Sequence, residues 1–253
     1  RSDALDGAHP PPEAGVPRLG VQGLGFGWPG SPRPLLSGVH LTVAPGECIA
    51  VVGPAASGKT SLARLLLGLA DPVLGHVLVD GRTWRQREAA GDAPRRGWWG
   101  ADTPVWDGTI AEHIACGAQG DSQRIAEAAA GAGLTVWIET LPAGHDSRLG
   151  RGGIAPSLHQ QRGLALARLL YARPQVVVFD EPGVLTDGDA ARCTREAIDR
   201  LRATGATVLV LTGRQSWARL APRWLVLRGG QLVADGPAAD VARQIGLGSE
   251  ATP

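Results

Sequence analysis

The sequence predicts an α/β fold: a parallel sheet with helices on both faces, an antiparallel β subdomain near the N-terminus and a helical subdomain. Three stretches carry the prediction. The apolar run Cys48–Val52 opens into Gly53-Pro54-Ala55-Ala56-Ser57-Gly58-Lys59-Thr60-Ser61 and then into Leu62–Leu67, which reads as a helix. Val176–Phe179 is a second apolar run, ending in Asp180-Glu181-Pro182, and Thr207–Thr212 is a third. Short apolar runs bounded by turn residues read as strands buried on both faces, as in a parallel sheet.

Gly53 through Ser61 matches a phosphate-binding loop in the context that the chemistry requires, after a strand and before a helix. Successive backbone N–H groups wrap a polyphosphate only if side chains are absent at the tightest points. The helix that follows adds the positive end of its dipole. Lys59 is placed to reach the β- and γ-phosphates and the Thr60 hydroxyl to ligate Mg²⁺. Lys59 is also the only lysine among 25 basic residues; the rest are arginines. A compact ammonium fits inside a phosphate cradle that a broad guanidinium does not.

Residues 1–17, rich in Pro, Gly and Ala without apolar periodicity, read as a linker or tail. Stretches 19–28 and 39–44 read as strands, the second followed by a Pro45-Gly46 turn. Between them Trp28 is either a platform for a flat nucleobase or a rim aromatic covering the sheet. Gly75–Gly81 reads as a short strand and turn, and the Arg-rich stretch 82–97 as surface. From about 98 to 170 the pattern is helical, with a longer helix over 157–172 that stops before Pro174. Val176–Phe179 then delivers two acids at the carboxyl end of a strand, where open α/β sheets bind their ligands. Asp180 is the candidate to hold Mg²⁺ through water, and Glu181 to polarise an attacking water. Trp224–Leu227 and Gln231–Ala234 form a hairpin across Arg228-Gly229-Gly230, and 237–245 a terminal helix.

Composition narrows the partners. A chain of 253 residues with 43% hydrophobic content suits one large domain, or a core with a subdomain. A net charge of +1, with basic residues scattered, offers no electrostatic case for nucleic acid. Cys48, Cys116 and Cys193 lack metal-type spacing and fit a reducing, cytosolic setting. No apolar run approaches the roughly 20 residues of a membrane span. The chain begins at Arg1 and contains no Met, so we expect a fragment or processed piece whose missing part carries membrane spans.

In order and spacing these stretches resemble the nucleotide-binding domain of ATP-binding cassette (ABC) transporters of the exporter type. The resemblance covers about 18–245, and the domain is drawn at 18–250. Phe26-Gly27-Trp28 followed by Pro34-Leu35-Leu36 looks like the adenine-stacking loop, residues 53–61 like Walker A, and Asp180-Glu181-Pro182 like the end of Walker B. Trp106-Asp107-Gly108-Thr109-Ile110-Ala111-Glu112 resembles the family's FDGTIxEN, and Leu141–Asp146 its LPxGxxT. Ala165-Leu166-Ala167-Arg168 resembles the helix after the signature. The resemblance implies a P-loop NTPase fold with a RecA-like parallel core, ATP and Mg²⁺ as cofactors, and hydrolysis of ATP. It also implies a transmembrane domain fused upstream, a second nucleotide-binding domain in a head-to-tail dimer, and a place at the cytoplasmic face of the cell membrane.

Several family positions are altered. Ala101 stands at the Q-loop glutamine, Pro156-Ser157-Leu158-His159-Gln160 at LSGGQ, Gly213 at the switch histidine and Val184-Leu185-Thr186-Asp187 at the D-loop. Arg151 stands where an acid is usual. The expectation is therefore retained ATP binding, weak hydrolysis and a heterodimeric partner carrying the sound residues. The alternative is a non-catalytic ATP-binding interaction module.

Overall fold

The computed structural model describes residues 15–31, 34–101, 104–117, 120–186 and 188–246. In chain order the elements are β1 (Leu19–Phe26), β2 (Leu36–Val43), β3 (Cys48–Val52), α1 (Lys59–Leu66), β4 (Leu74–Val79), α2 (Trp84–Ala89) and β5 (Arg96–Trp99). The middle of the chain holds β6 (Gly108–Thr109), α3 (Ile110–Ile114), α4 (Ser122–Gly131), α5 (Thr135–Glu139), β7 (Arg148–Leu149) and α6 (Leu158–Ala172). The chain then returns through β8 (Val176–Asp180), α7 (Pro182–Leu185), α8 (Gly188–Ala203), β9 (Thr207–Thr212), α9 (Gln215–Ala218), β10 (Arg223–Arg228), β11 (Gln231–Pro237) and α10 (Ala238–Gln244).

The central sheet runs β11-β10-β3-β9-β8-β5, and every pairing in it is parallel except the β10–β11 hairpin. A separate antiparallel sheet, β2-β1-β4, lies toward the N-terminus. Two cores result, because alternate side chains of a strand face opposite sides. Val177, Phe179, Val208 and Val210 face α6, α8 and the other middle helices. Val176, Val178, Leu209 and Leu211 face α1 and the antiparallel sheet. Sandwiched between two apolar layers, β8 and β9 have no polar face, which explains their unbroken hydrophobic runs. Cys48 belongs to the first core, where burial pushes its thiol up to about 11; it is packing rather than chemistry.

Two expectations change. The stretch 82–97 is not simply surface, and the helical pattern does not begin near 98: Arg96–Trp99 pairs in parallel with β8 as the edge of the central sheet. Arg96 makes this possible by lying over the buried Trp84, 4.6 Å from its ring, and donating to Leu67 O at 2.7 Å. The helical stretch of the middle of the chain starts at Ile110 instead. Of the predicted tail, residues 1–14 lie outside the described residues, and Pro17 is buried against the body. Residues 247–250, drawn inside the domain, also lie outside them.

The longer helix starts where its sequence says it should. Ser157 caps α6 by accepting from Gln160 N (3.3 Å), while Gln160 Oε1 accepts from Ser157 N (2.7 Å). Ser157→Ala removes the cap, at about 1 kcal/mol. Thermal denaturation of the variant should show a midpoint lower by about 2–4 °C, with nucleotide affinity unchanged.

Candidate functional site

Strand β3 is buried along almost its whole length, and the chain leaves it at Gly53 in a tight loop. A Cβ at Gly53 would collide with Leu227 O and sit 2.7 Å from Ser57 Oγ; one at Gly58 would lie 2.7 Å from Leu36 Cδ2. Gly58 also has φ 102, so both glycines are required. Ala56 takes a left-handed conformation, φ 59, and Ser57 N donates to Pro54 O at 3.3 Å, tightening the turn before α1 begins at Lys59. Ser61, the last residue of the loop, is buried in the first turn of α1.

Lys59 is buried, and its ammonium turns back into the loop. Nζ donates to Gly53 O (2.9 Å) and Pro54 O (3.0 Å) and pairs with Glu181 Oε1 (3.0 Å). Glu181 reaches it from the end of β8, adopting a left-handed φ of 50 before α7. Its other oxygen accepts from Gly213 N at 3.3 Å. Beside this pair, Thr60 Oγ1 donates to Asp180 Oδ2 at 2.9 Å. Burial holds the Asp180 carboxyl above the ordinary carboxylate range, and nearby Glu181 adds to the rise; the Thr60 hydroxyl, Lys59 and Arg64 oppose it. Residues separated by 120 positions in sequence thus meet beyond the carboxyl ends of β3 and β8, two strands of one sheet with β9 between them.

Two buried polar atoms bear on what the site can hold. Asp180 Oδ1 and Ser57 Oγ are buried with no hydrogen-bond partner. A free carboxylate oxygen beside a threonine hydroxyl is a hard-oxygen donor pair that fits Mg²⁺, which takes few protein ligands and fills the rest of its shell with phosphate and water. A free hydroxyl inside a glycine loop fits a phosphate oxygen. Among the described residues no cluster of three His, Cys, Asp or Glu side chains offers an all-protein metal site.

Trp28 stands at the rim, 42% exposed, with Nε1 donating to Ser61 Oγ at 3.2 Å and its ring edge-to-face with Phe26. Behind it lies a pair that the sequence reading missed. The Arg64 guanidinium sits 5.7 Å from the Trp28 ring and 5.9 Å from that of Trp98. Arg64 lies one helical turn beyond Thr60, and that spacing was the available signal.

The altered family positions are placed as follows. Ala101 is exposed next to Gly100, and a Cβ on Gly100 would lie 3.5 Å from Asp180 Cβ. Gly213 faces Glu181 with its backbone alone. Ser157 and Gln160 are engaged in capping α6, which leaves Leu158, 54% exposed, and His159 at the tip of the helix. Val184 is exposed and Asp187 lies outside the described residues. Arg151 donates its backbone N–H to Asp107 Oδ1 at 2.6 Å, so this loop is held through the main chain. The stretches 106–112 and 165–168 meet: Arg168 lies 4.4 Å from the Trp106 ring and donates to Pro104 O and His113 O. A groove of about 740 Å³ lies elsewhere, at the far end of α1 around Leu69, Val73, Leu74 and Trp84.

A glycine loop, a buried lysine and a strand-end Asp-Glu pair on a parallel sheet define a P-loop nucleotide-binding domain. The chain belongs to the ABC transporter family, whose family profile matches residues 36–184, more than half of its length. It is 36% identical over 243 residues to the type I secretion system ATP-binding protein PrsD of Rhizobium meliloti (strain 1021), covering 92% of this chain and 42% of that protein. It is 33% identical over 224 residues to the ATP-dependent lipid A-core flippase of Burkholderia orbicola (strain AU 1054), covering 88% and 38%. A solved bacterial Atm1-family ABC exporter with ATP bound superposes with a TM-score of 0.78 at 28% identity, covering 92% of this chain and 42% of that one. The chain therefore spans less than half the length of these relatives. No helix among the described residues is long and apolar enough to cross a membrane.

Proposed function

We propose that this chain is the ATP-binding and ATP-hydrolysing domain of an ABC exporter half-transporter, with slow turnover of its own. The observation that carries the reading is the convergence of Lys59, Thr60, Asp180 and Glu181 on one loop. In this reading the Gly53–Ser61 loop (Gly53, Pro54, Ala55, Ala56, Ser57, Gly58, Lys59, Thr60 and Ser61) cradles the phosphates, and Lys59 moves its ammonium from Gly53 O and Pro54 O to the β/γ-phosphates. Trp28 stacks on adenine. Thr60 and Asp180 hold Mg²⁺, which when bound offsets phosphate charge. Glu181 orients a water for in-line attack on the γ-phosphorus, breaking the bridging P–O bond to yield ADP and phosphate.

The missing groups argue for slow chemistry. Ala101 has no polar atom, Gly213 no side chain, and Leu158 and His159 add bulk where a backbone would approach a partner's nucleotide. Loss of one preorganised donor commonly lowers the rate by about 10²–10³. A degenerate protomer works best in a head-to-tail heterodimer, attached to membrane helices upstream and held at the cytoplasmic face of the membrane. The exposed Leu69, Val73 and Leu74 offer those helices an apolar seat.

The test is phosphate release from Mg²⁺-ATP by the purified chain, beside Glu181→Gln, with ATP binding measured on the same samples. Binding with turnover no faster than the control is the expected result. Fast, Glu181-dependent turnover would overturn the slow-hydrolysis reading, and absence of ATP binding would overturn the site itself.

A further inference from the structure

A second concavity lies away from the phosphate loop, where α4, the end of α6 and α8 meet. It has a volume of about 310 Å³, with Arg124 and Glu127 from α4, Arg173 from the end of α6 and Arg200 from α8 on its wall, and Ala128 and Leu201 beneath. Three arginines and one carboxylate, all exposed, thus share the wall of one cavity, and that carboxylate already accepts from Gln123 Nε2 at 3.1 Å.

Among the described residues none of the three arginines is in an ion pair, whereas Arg82, Arg87, Arg96, Arg192, Arg202 and Arg223 each face a carboxylate. Two of the three are positioned by neutral contacts instead. Arg124 lies 4.8 Å from the Tyr171 ring and donates Nη2 to Tyr171 O at 2.9 Å. Arg200 crosses α4 at Gly131, where any Cβ would collide with its Nη1. Contacts of this kind fix a guanidinium without neutralising it, and so leave its remaining N–H donors and its full charge for a ligand. Like charges gathered around one cavity repel each other, and an anion in the middle relieves that repulsion.

The geometry points to an anion site in this cavity, for a small soluble molecule carrying two or more phosphate charges. Phosphate oxygens match the planar donor fork of arginine, and the cavity exceeds what a single water or chloride needs. Its walls come from three helices, so the ligand would tie α4 to α8. The assignment is independent of the nucleotide reading above.

The probe is inorganic pyrophosphate, titrated calorimetrically into the Lys59→Ala chain so that the phosphate loop is silent. One saturable site is expected, weakened about tenfold for each arginine removed in Arg124→Ala and Arg200→Ala and weakened further by salt. Circular dichroism checks that each variant is folded. In the unsubstituted chain the Nε–H resonances of Arg124, Arg173 and Arg200 should shift together on titration, with a midpoint separate from that of the Gly58 amide. Absence of saturable binding in Lys59→Ala, or binding indifferent to both arginine substitutions, overturns the site. Co-sedimentation with phosphatidic acid vesicles, without pyrophosphate binding, would assign the arginines to a membrane surface and equally overturn it.

Discussion

Lys59→Ala should abolish measurable ATP binding while leaving the fold intact. The ammonium is the one lysine in the chain and is 5% exposed, so no neighbouring lysine can substitute for it. A hydrogen bond to a charged group is worth about 1.5–3 kcal/mol, and two such bonds to phosphate correspond to a loss of about 10²-fold or more in affinity. The cost to the fold is smaller. Alanine leaves the buried Gly53 O without its donor, at about 1–3 kcal/mol, whereas Pro54 is exposed and the Glu181 partner is 31% exposed. Calorimetry or fluorescence with a labelled nucleotide reads the first effect and thermal denaturation the second. Unchanged affinity would show that the loop does not cradle phosphate.

Gly213→His is expected to raise ATP turnover, by on the order of 10²-fold where the switch donor limits the rate. The position has room. A Cβ built there meets only Gly53 O, at 3.6 Å, an ordinary contact, and Gly213 is not among the glycines with positive φ. Its N–H already touches Glu181 Oε2, so an imidazole at 213 starts from the edge of the phosphate loop, beside the carboxylate proposed to handle water. Phosphate release with Glu181→Gln as the background is the measurement. A rate unmoved by Gly213→His, alone or with Ala101→Gln, would mean that neither lost side chain limits the chemistry.

What sequence made legible follows a physical rule. The elements read well are those whose residues need no distant partner to explain them. β3, β8 and β9 are apolar on both faces, and the glycine loop carries its own motif spacing. The hairpin turns at Arg228-Gly229-Gly230, and α6 carries its own cap and ends just before Pro174. β5 was missed because Arg96 and Gly97 mask an edge strand; Arg96 is accommodated by Trp84, Leu67 O and Glu88, which come from earlier in the chain. In the site, residue types pointed to Lys59, Thr60, Asp180 and Glu181. The Lys59–Glu181 contact, the orphaned Asp180 Oδ1 and the Trp28–Arg64–Trp98 array are products of tertiary packing. Of these, only the place of Arg64 one turn beyond Thr60 shows in the string; the contacts themselves do not.

Under the proposed reading, the Lys59–Glu181 pair would also order events in time. Ammonium and carboxylate lie 3.0 Å apart and neutralise each other, which engages the carboxylate. In the nucleotide-binding reading, an arriving polyphosphate draws the ammonium away, and the same movement releases Glu181 to face water. The pair then acts as an interlock: the group that would orient the nucleophile stays engaged until the molecule to be attacked has been seated.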